Sequence, residues 1–229
     1  MNLLAFDTST ERFSVAVRRG ADGDLLEDTG AGGAQASAAL IPAIGRLLQR
    51  AELALADLDA IVIGRGPGSF TGLRTACAVA QGLAFGAAVP VLPRSTLLAV
   101  AEDARWRAGV TQVVALLDAR MDEVYWARHE WVDGRWTQHG AIALGPPEGV
   151  AVPPGWSLAG NALDSYAQRW ADGARIEAQP TAAALLRLAP QLLAAGQAGP
   201  AEAALPLYIR DKVAQTTEER AAARSAVPT

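Results

Sequence analysis

Apolar and polar residues alternate along the chain in a pattern that occurs twice. Residues 3 to 6 (LLAF) form an apolar run ending at Asp7, and residues 113 to 117 (VVALL) form another ending at Asp118. With these aspartates aligned, 111 residues apart, an acid follows four positions on in each copy, Glu11 and Asp122. Apolar residues then fall six and eight positions on: Phe13 and Val15 in the first copy, Val124 and Trp126 in the second. That alternation predicts a second strand with one buried face. Asp-Gly pairs follow at the same spacing, Asp22-Gly23 and Asp133-Gly134, and Asp-Gly favours a tight hairpin turn. Each copy therefore reads as strand, acidic turn, strand, Asp-Gly turn, strand, which points to an internal duplication.

Helical periodicity follows the first copy. Leu40, Ile41, Ile44, Leu47 and Leu48 fall on one side of a predicted helix over 37–53, with Pro42 in its first turn. A strand is predicted over 60–63, then a Gly-rich turn, a helix over about 71–87 and a strand over 89–92. Ser95 can cap a helix over 96–107. In the second copy a Pro/Gly loop at 145–155 replaces the first helix. A strand at 157–159 and helices at 161–170 and 181–195 follow. Two such units describe an α/β, duplicated actin-like or sugar-kinase-like fold with ribonuclease-H-like domains facing across a cleft. The expected division is 1–107 and a smaller 108–205. The cleft is expected to be lined by Asp7, Asp118 and the 64–72 loop.

Composition narrows the function. The 229 residues are 51% hydrophobic, with a net charge of −4. The sequence pI is about 5.2 and the mean hydropathy +0.15. A free-standing nucleic-acid binder carries a basic surplus, and this chain has none. Cys77 is the single cysteine, which excludes an internal disulfide and suits a reducing cytosol. His129 and His139 are the only histidines, too few and too badly spaced for a zinc site. The start MNLLAFDTST lacks the basic, then apolar, pattern of a signal peptide. A cytoplasmic protein without metal or cofactor is expected.

The sharpest local motif is GRGPGSFTGLR at 64–74. Gly66, Gly68, Ser69, Thr71 and Gly72 could present N–H groups to an anion at a helix N-terminus. The same glycines could equally serve a tight turn and nothing more. The motif is not a Walker loop, since G-K-[ST] is absent. The acidic turns Asp7-Thr8-Ser9-Thr10 and Asp118-Ala119-Arg120-Met121 lie where ATP-using members of this fold hold phosphates and metal. Neither contains glycine, and the one lysine is Lys212. A working ATPase or phosphotransferase is therefore the alternative reading, not the preferred one. Trp126 is expected to face the core, and Trp131 and Trp136 to pair across a hairpin. Cys77 reads as packed, not nucleophilic.

The motifs GRGPGSFTGLR, AQGLAFG at 80–86, STLLAVA at 95–101, LLDARMDEVYWA at 116–127 and PLYIRDKVA at 206–214 together resemble the bacterial TsaB (YeaZ) family. The resemblance spans the chain, and it implies that the 206–229 segment packs near the domain junction with Arg210 paired to an acid. It implies the duplicated fold and a non-catalytic scaffold in threonylcarbamoyladenosine synthesis on tRNA. It implies TsaD and the ATPase TsaE as partners, with tRNA met only within the complex. The catalytic relative TsaD carries H-x-x-x-H metal ligands on its first long helix. The corresponding stretch here, residues 32–44, contains no histidine, and Ala36 stands where many TsaB members keep one. The family was once grouped with glycoproteases, but the sequence shows no peptidase ligands or nucleophile–base pair. The partner surface is expected on the two helices of the first half, through Leu40, Ile44, Leu47, Leu48, Arg74, Ala78 and Gln81. Part of that apolar set is expected to stay exposed until a partner covers it. A homodimer of the isolated chain would use the same face.

Overall fold

The computed structural model describes residues 1–210 apart from 22, 171 and 172. Two five-stranded sheets carry the fold. The first comprises β1 (Leu3–Asp7), β2 (Arg12–Arg18), β3 (Leu25–Ala31), β4 (Ala60–Gly64) and β5 (Val91–Arg94), in the order β3-β2-β1-β4-β5. The second comprises β6 (Gln112–Arg120), β7 (Glu123–Val132), β8 (Arg135–Gly145), β9 (Ser157–Gly160) and β10 (Arg175–Ile176), in the order β10-β9-β6-β7-β8. Read from the opposite edge, the second order repeats the first, strand for strand. Each sheet opens with an antiparallel hairpin and continues with parallel partners. The duplication read from the aspartate-terminated runs is therefore present in the topology.

The two hairpins differ by one residue. Asp7 pairs with Ser14, but Asp118 pairs with Val124, and β6 carries an irregularity between Asp118 and Arg120. A one-residue change of register moves a side chain to the other face of a sheet. Asp7 accordingly turns its carboxylate toward Thr96, whereas Asp118 turns its own toward Tyr166. Trp131 and Trp136 do pair in register beside the Asp133-Gly134 turn, their rings edge-on at 5.5 Å. Trp126 is half-buried and packs against the core formed by Val114, Leu116, Val124 and Leu158, in line with the expected core-facing side. Asp22 of the first Asp-Gly pair lies outside the described residues.

Helices α1 (Ala36–Arg50) and α2 (Phe70–Ala87) cover one face of the first sheet. Leu40, Ala43, Ile44 and Leu47 meet Phe13, Val15 and Val17 there. The other two long helices cross over. Helix α3 (Thr96–Ala108) follows the first sheet in sequence, yet Leu97, Val100, Ala101 and Ala104 pack on Val113, Ala115 and Leu117 of the second. Helix α5 (Ala182–Ala194) follows the second sheet and packs Leu185, Leu186 and Ala189 on Leu3, Ala5 and Val62 of the first. Of the helix predicted over 161–170, the structure keeps α4 (Ala162–Ser165).

A buried ionic cluster ties the crossed helices together. Glu102 of α3 accepts two hydrogen bonds from Arg105, one from Arg187 of α5 and one from the Trp136 indole of β8. Asp103 beside it takes Arg107, the Gln179 N–H and the Thr181 hydroxyl. A buried carboxylate is tolerable only when its lone pairs are filled in this way.

Candidate functional site

The first acidic turn and the Gly-rich loop are built as one unit. Asp7 ends β1 and is buried. Its Oδ1 accepts from the Ser9 N–H at 2.7 Å and from the Ser9 hydroxyl, and its Oδ2 accepts from the Thr96 hydroxyl at 3.0 Å. Burial pushes the Asp7 carboxyl above its ordinary range, and the Ser9 and Thr96 donors pull the other way. The Thr96 hydroxyl also accepts from the Gly66 N–H at 3.1 Å. The Ser69 N–H donates to Ser9 O at 2.7 Å, and the Thr8 hydroxyl donates to Gly72 O at 2.6 Å.

This packing explains the glycines. A Cβ on Gly64 would stand 1.7 Å from Asp7 Oδ2, and one on Gly72 would stand 1.9 Å from Thr8 O. A Cβ on Gly68 would stand 2.5 Å from Ser9 O, still inside contact distance. Of the candidate anion-binding groups, the Gly66 and Ser69 N–H groups are bonded to Thr96 and Ser9. The Ser69 hydroxyl caps α2 through the Gly72 N–H, and Thr71 lies exposed on the first turn. The chain's own turn thus fills the concavity that the loop encloses. Asp7 sits beneath this turn and does not form a wall of the cleft, contrary to the sequence expectation.

The second acidic turn stays at the surface of the cleft. Asp118 accepts from the Arg120 N–H at 2.8 Å and from the Tyr166 hydroxyl at 3.0 Å. Burial and the neighbouring Asp118 carboxylate raise the Tyr166 phenol to about 12. Arg120, Met121 and Asp122 all adopt left-handed backbone, with φ of 62°, 57° and 59°. Such a run is costly for residues other than glycine. It turns the Arg120 guanidinium across to Glu11 in the opposite turn while a second contact reaches Asp118 at 3.3 Å.

Between the turns lies a cleft of about 730 Å³, with Ser9, Glu11 and Ser69 on one wall and Asp118, Arg120 and Asn161 on the other. The chain from Leu205 to Arg210 runs along it. The Leu207 N–H donates to Arg65 O at 2.7 Å. Tyr208 stacks on Phe70 at 5.5 Å and receives a hydrogen bond from Arg74, whose guanidinium lies 3.7 Å above the Phe70 ring. Arg210 pairs with an acid as expected, Glu123 at 2.5 Å. Residues 211–214 of the same motif lie outside the described residues.

The expected partner face requires a correction. Leu40, Ile44, Leu47 and Leu48 are all buried in the core under α1. The wide apolar stripe is needed because α1 lies against both the sheet and α2. The exposed large apolar residues of α1 and α2 are Ile41, 54% accessible, Phe70, 38%, and Phe85, 81%. Arg74 and Ala78 are exposed beside them, and a groove of about 440 Å³ opens between Ser37, Phe70, Arg74, Ala78 and Val79. Gln81 is half-buried and donates to Ala204 O at 3.0 Å, so it holds the chain's own C-terminal segment.

Among the described residues no three His, Cys, Asp or Glu side chains group as a metal site, and no helix is long and apolar enough to cross a membrane. Burial raises the Cys77 thiol to about 11, which keeps it protonated. Burial holds His129 neutral, at about 4. Thr96, Asn161 and Tyr166 escaped sequence reasoning, since nothing in their local pattern ties them to the aspartates. Ser95 follows β5 as the N-cap of α3, but its hydroxyl makes no capping bond.

The family model of TsaD, the tRNA N6-adenosine threonylcarbamoyltransferase, matches residues 33–151. The chain is 34% identical to the tRNA threonylcarbamoyladenosine biosynthesis protein TsaB of Escherichia coli, over 93% of this chain and 96% of that one. It is 43% identical to TsaB of Haemophilus influenzae over 56% of this chain and 53% of that one. The solved structure of YeaZ from Pseudomonas aeruginosa superposes with a TM-score of 0.84 at 41% identity, covering 91% of this chain and 99% of that one. With matches of this extent to both sequence and structure, on a duplicated actin-like, ribonuclease-H-like α/β fold, the chain belongs to the TsaB (YeaZ) family of tRNA threonylcarbamoyladenosine biosynthesis proteins.

Proposed function

We propose that this chain is a non-catalytic subunit that docks on TsaD and, with TsaE, supports threonylcarbamoyl transfer to the adenosine beside the anticodon of tRNA. The observation that carries this reading is the closed first acidic turn. Asp7 is buried, its oxygens are bonded to Ser9 and Thr96, and the Gly-rich loop rests on the turn it would need to open. A phosphate has no approach to that carboxylate. The exposed face of α1 and α2, with Ile41, Ala78, Phe85 and the groove beside Arg74, is the docking surface for TsaD. Its small residues let another backbone come close, and exposed apolar groups of this kind mark interfaces. A homologous partner with matching helices, or a second copy of this chain, would use the same face.

The test is co-purification of the full chain with TsaD, followed by tRNA modification assays with TsaD and TsaE in the presence and absence of the chain. Modification that proceeds equally without it would refute the proposal.

A peptidase reading stays open to one experiment, because a second solved Pseudomonas aeruginosa relative is described as similar to peptidase YeaZ. Incubation of the isolated chain with a protein substrate, with and without divalent metal, should yield no cleavage. The same sample should show no steady ATP hydrolysis, which sets aside the phosphotransferase alternative.

A further inference from the structure

The chain from Leu207 to Arg210 passes from one half of the molecule to the other within a single peptide step. Leu207 and Tyr208 belong to the first half: the Leu207 N–H donates to Arg65 O, and the Tyr208 ring stacks on Phe70. Ile209 and Arg210 belong to the second. Ile209 packs against the core shared by α3 and the second sheet, and Arg210 pairs with Glu123 and donates to Arg120 O at 3.4 Å. What holds Tyr208 is exposed. The Arg74 Nε donates to its hydroxyl at 2.9 Å, and the same guanidinium lies 3.7 Å from the Phe70 ring centre and 5.9 Å from that of Tyr208. Phe70 lines both the cleft and the groove on α2, and Arg74 lines the groove. Phe70 is thus a wall shared by the two spaces.

Helices α1 and α2 together carry Arg46, Arg50 and Arg74 and no acid. Arg46 pairs with Asp28, whereas no carboxylate among the described residues pairs with Arg74. A carboxylate is a stronger acceptor for a guanidinium than a phenol oxygen is. An acidic side chain entering the groove would therefore draw the Arg74 fork off Tyr208, leaving Tyr208 with one exposed ring contact. The consequence for the cleft follows from chain length. With Tyr208 fixed, the crossing is one Cα step of about 3.8 Å; with Tyr208 free, the chain from Leu207 to Ile209 reaches about 7 Å. The walls can then separate by up to about 3 Å. We propose that Phe70, Arg74 and Tyr208 form a latch that couples the α2 groove to the cleft. An acidic side chain of the partner, seated in the groove, releases Tyr208 and lets the cleft walls part. A partner that releases the latch binds the open form better, and opening the latch strengthens its binding in return. The identity of the partner, though not the latch itself, rests on the TsaD reading above.

The experiment places spin labels on the full chain at Ala31→Cys and Ser165→Cys, exposed positions beside opposite walls of the cleft. Cys77 is buried and stays unlabelled. In the isolated chain, Arg74→Gln and Tyr208→Ala should each lengthen the mean label distance by up to about 3 Å. Tyr208→Phe keeps the stack and loses the hydroxyl, so its distance should fall between those variants and the parent. Saturating TsaD should lengthen the parent's distance in the same way and leave that of Tyr208→Ala where it is. By reciprocity Tyr208→Ala should bind TsaD about fivefold more tightly than the parent. Loss of an ordinary interface contact would weaken binding instead. If Tyr208→Ala fails to fold, Arg74→Gln and Tyr208→Phe carry the distance test. Three results would overturn the latch while leaving the docking reading intact: a parent that binds TsaD with no change in distance, a folded Tyr208→Ala chain that binds no more tightly, or isolated variants with the parent's distance. A parent chain that does not bind TsaD would overturn the docking reading, and the isolated-chain distances would then decide the latch alone.

Discussion

Gly64 and Asp7 stand so close that a single methyl group on Gly64 would lie 1.7 Å from Asp7 Oδ2. The glycine therefore fixes where the buried carboxylate sits, and through it the turn, the Thr96 hydroxyl and the Gly66 N–H. Gly64→Ala should destabilise the fold by about 3 kcal/mol, the upper range for overpacking a core. Gly45 provides the contrast, since a Cβ there meets nothing within 4 Å and the residue is exposed in mid-helix. Gly45→Ala should stabilise by up to about 1 kcal/mol. Urea unfolding of both variants gives the comparison. Equal effects would contradict the packing described for the turn.

His129 makes stability depend on pH. Its ring is buried, Nδ1 has no partner, and its folded-state pKa lies at about 4 against 6.5 for the free side chain. Between those values the unfolded chain binds the extra proton, so this contribution is complete above pH 6.5 and falls away toward pH 4. The loss amounts to at most about 3 kcal/mol. His129→Leu should flatten that part of the stability curve relative to the parent. Parallel curves across the window would show that the imidazole does not titrate in this environment.

The Glu102 cluster joins helices that pack on different sheets. Glu102→Gln removes the charge that faces Arg105 and Arg187 and should cost about 3 kcal/mol. Trp136→Phe removes one neutral donor to the same carboxylate and should cost about 1 kcal/mol beyond any packing change. Chemical denaturation of the two variants checks the order. A Glu102→Gln variant as stable as the parent would mean that the cluster contributes nothing net.

The Arg120–Glu11 bridge behaves differently because both side chains are exposed. Glu11→Gln should change stability by less than about 1 kcal/mol. Its effect should be on the width of the cleft, read as the distance distribution between spin labels on the two walls. An unchanged distribution would show that the Leu205–Arg210 segment alone holds the walls together.

Much of this was legible in the chain itself. The apolar runs closed by Asp7 and Asp118 disclosed the duplication, 3.6-residue periodicity located α1, and the order of segments located α2 and α5. Tertiary geometry hid the rest. Leu40, Ile44, Leu47 and Leu48 looked too many for one sheet, but α1 is buried on two sides, so only Ile41 of that stripe reaches solvent. The glycines at 66–72 fit an anion loop as well as they fit a close contact with Thr8 and Ser9. Only the distance between two segments sixty residues apart separates these readings. The one-residue slip between the hairpins was invisible to spacing, because the apolar positions of β7 are nearly continuous from Val124 to Ala127.

The docking face is tested most directly by the affinity of TsaD for the folded full chain and its surface variants. Ala78 and Phe85 are exposed on α2, so Ala78→Glu and Phe85→Asp can place charge there without entering the core. Leu47→Glu is unsuitable, since that side chain is buried. The account predicts that each α2 variant keeps the parent's circular dichroism and melting while binding TsaD about tenfold more weakly or worse. Folded variants that bind TsaD with the parent's affinity would place the interface elsewhere and contradict it.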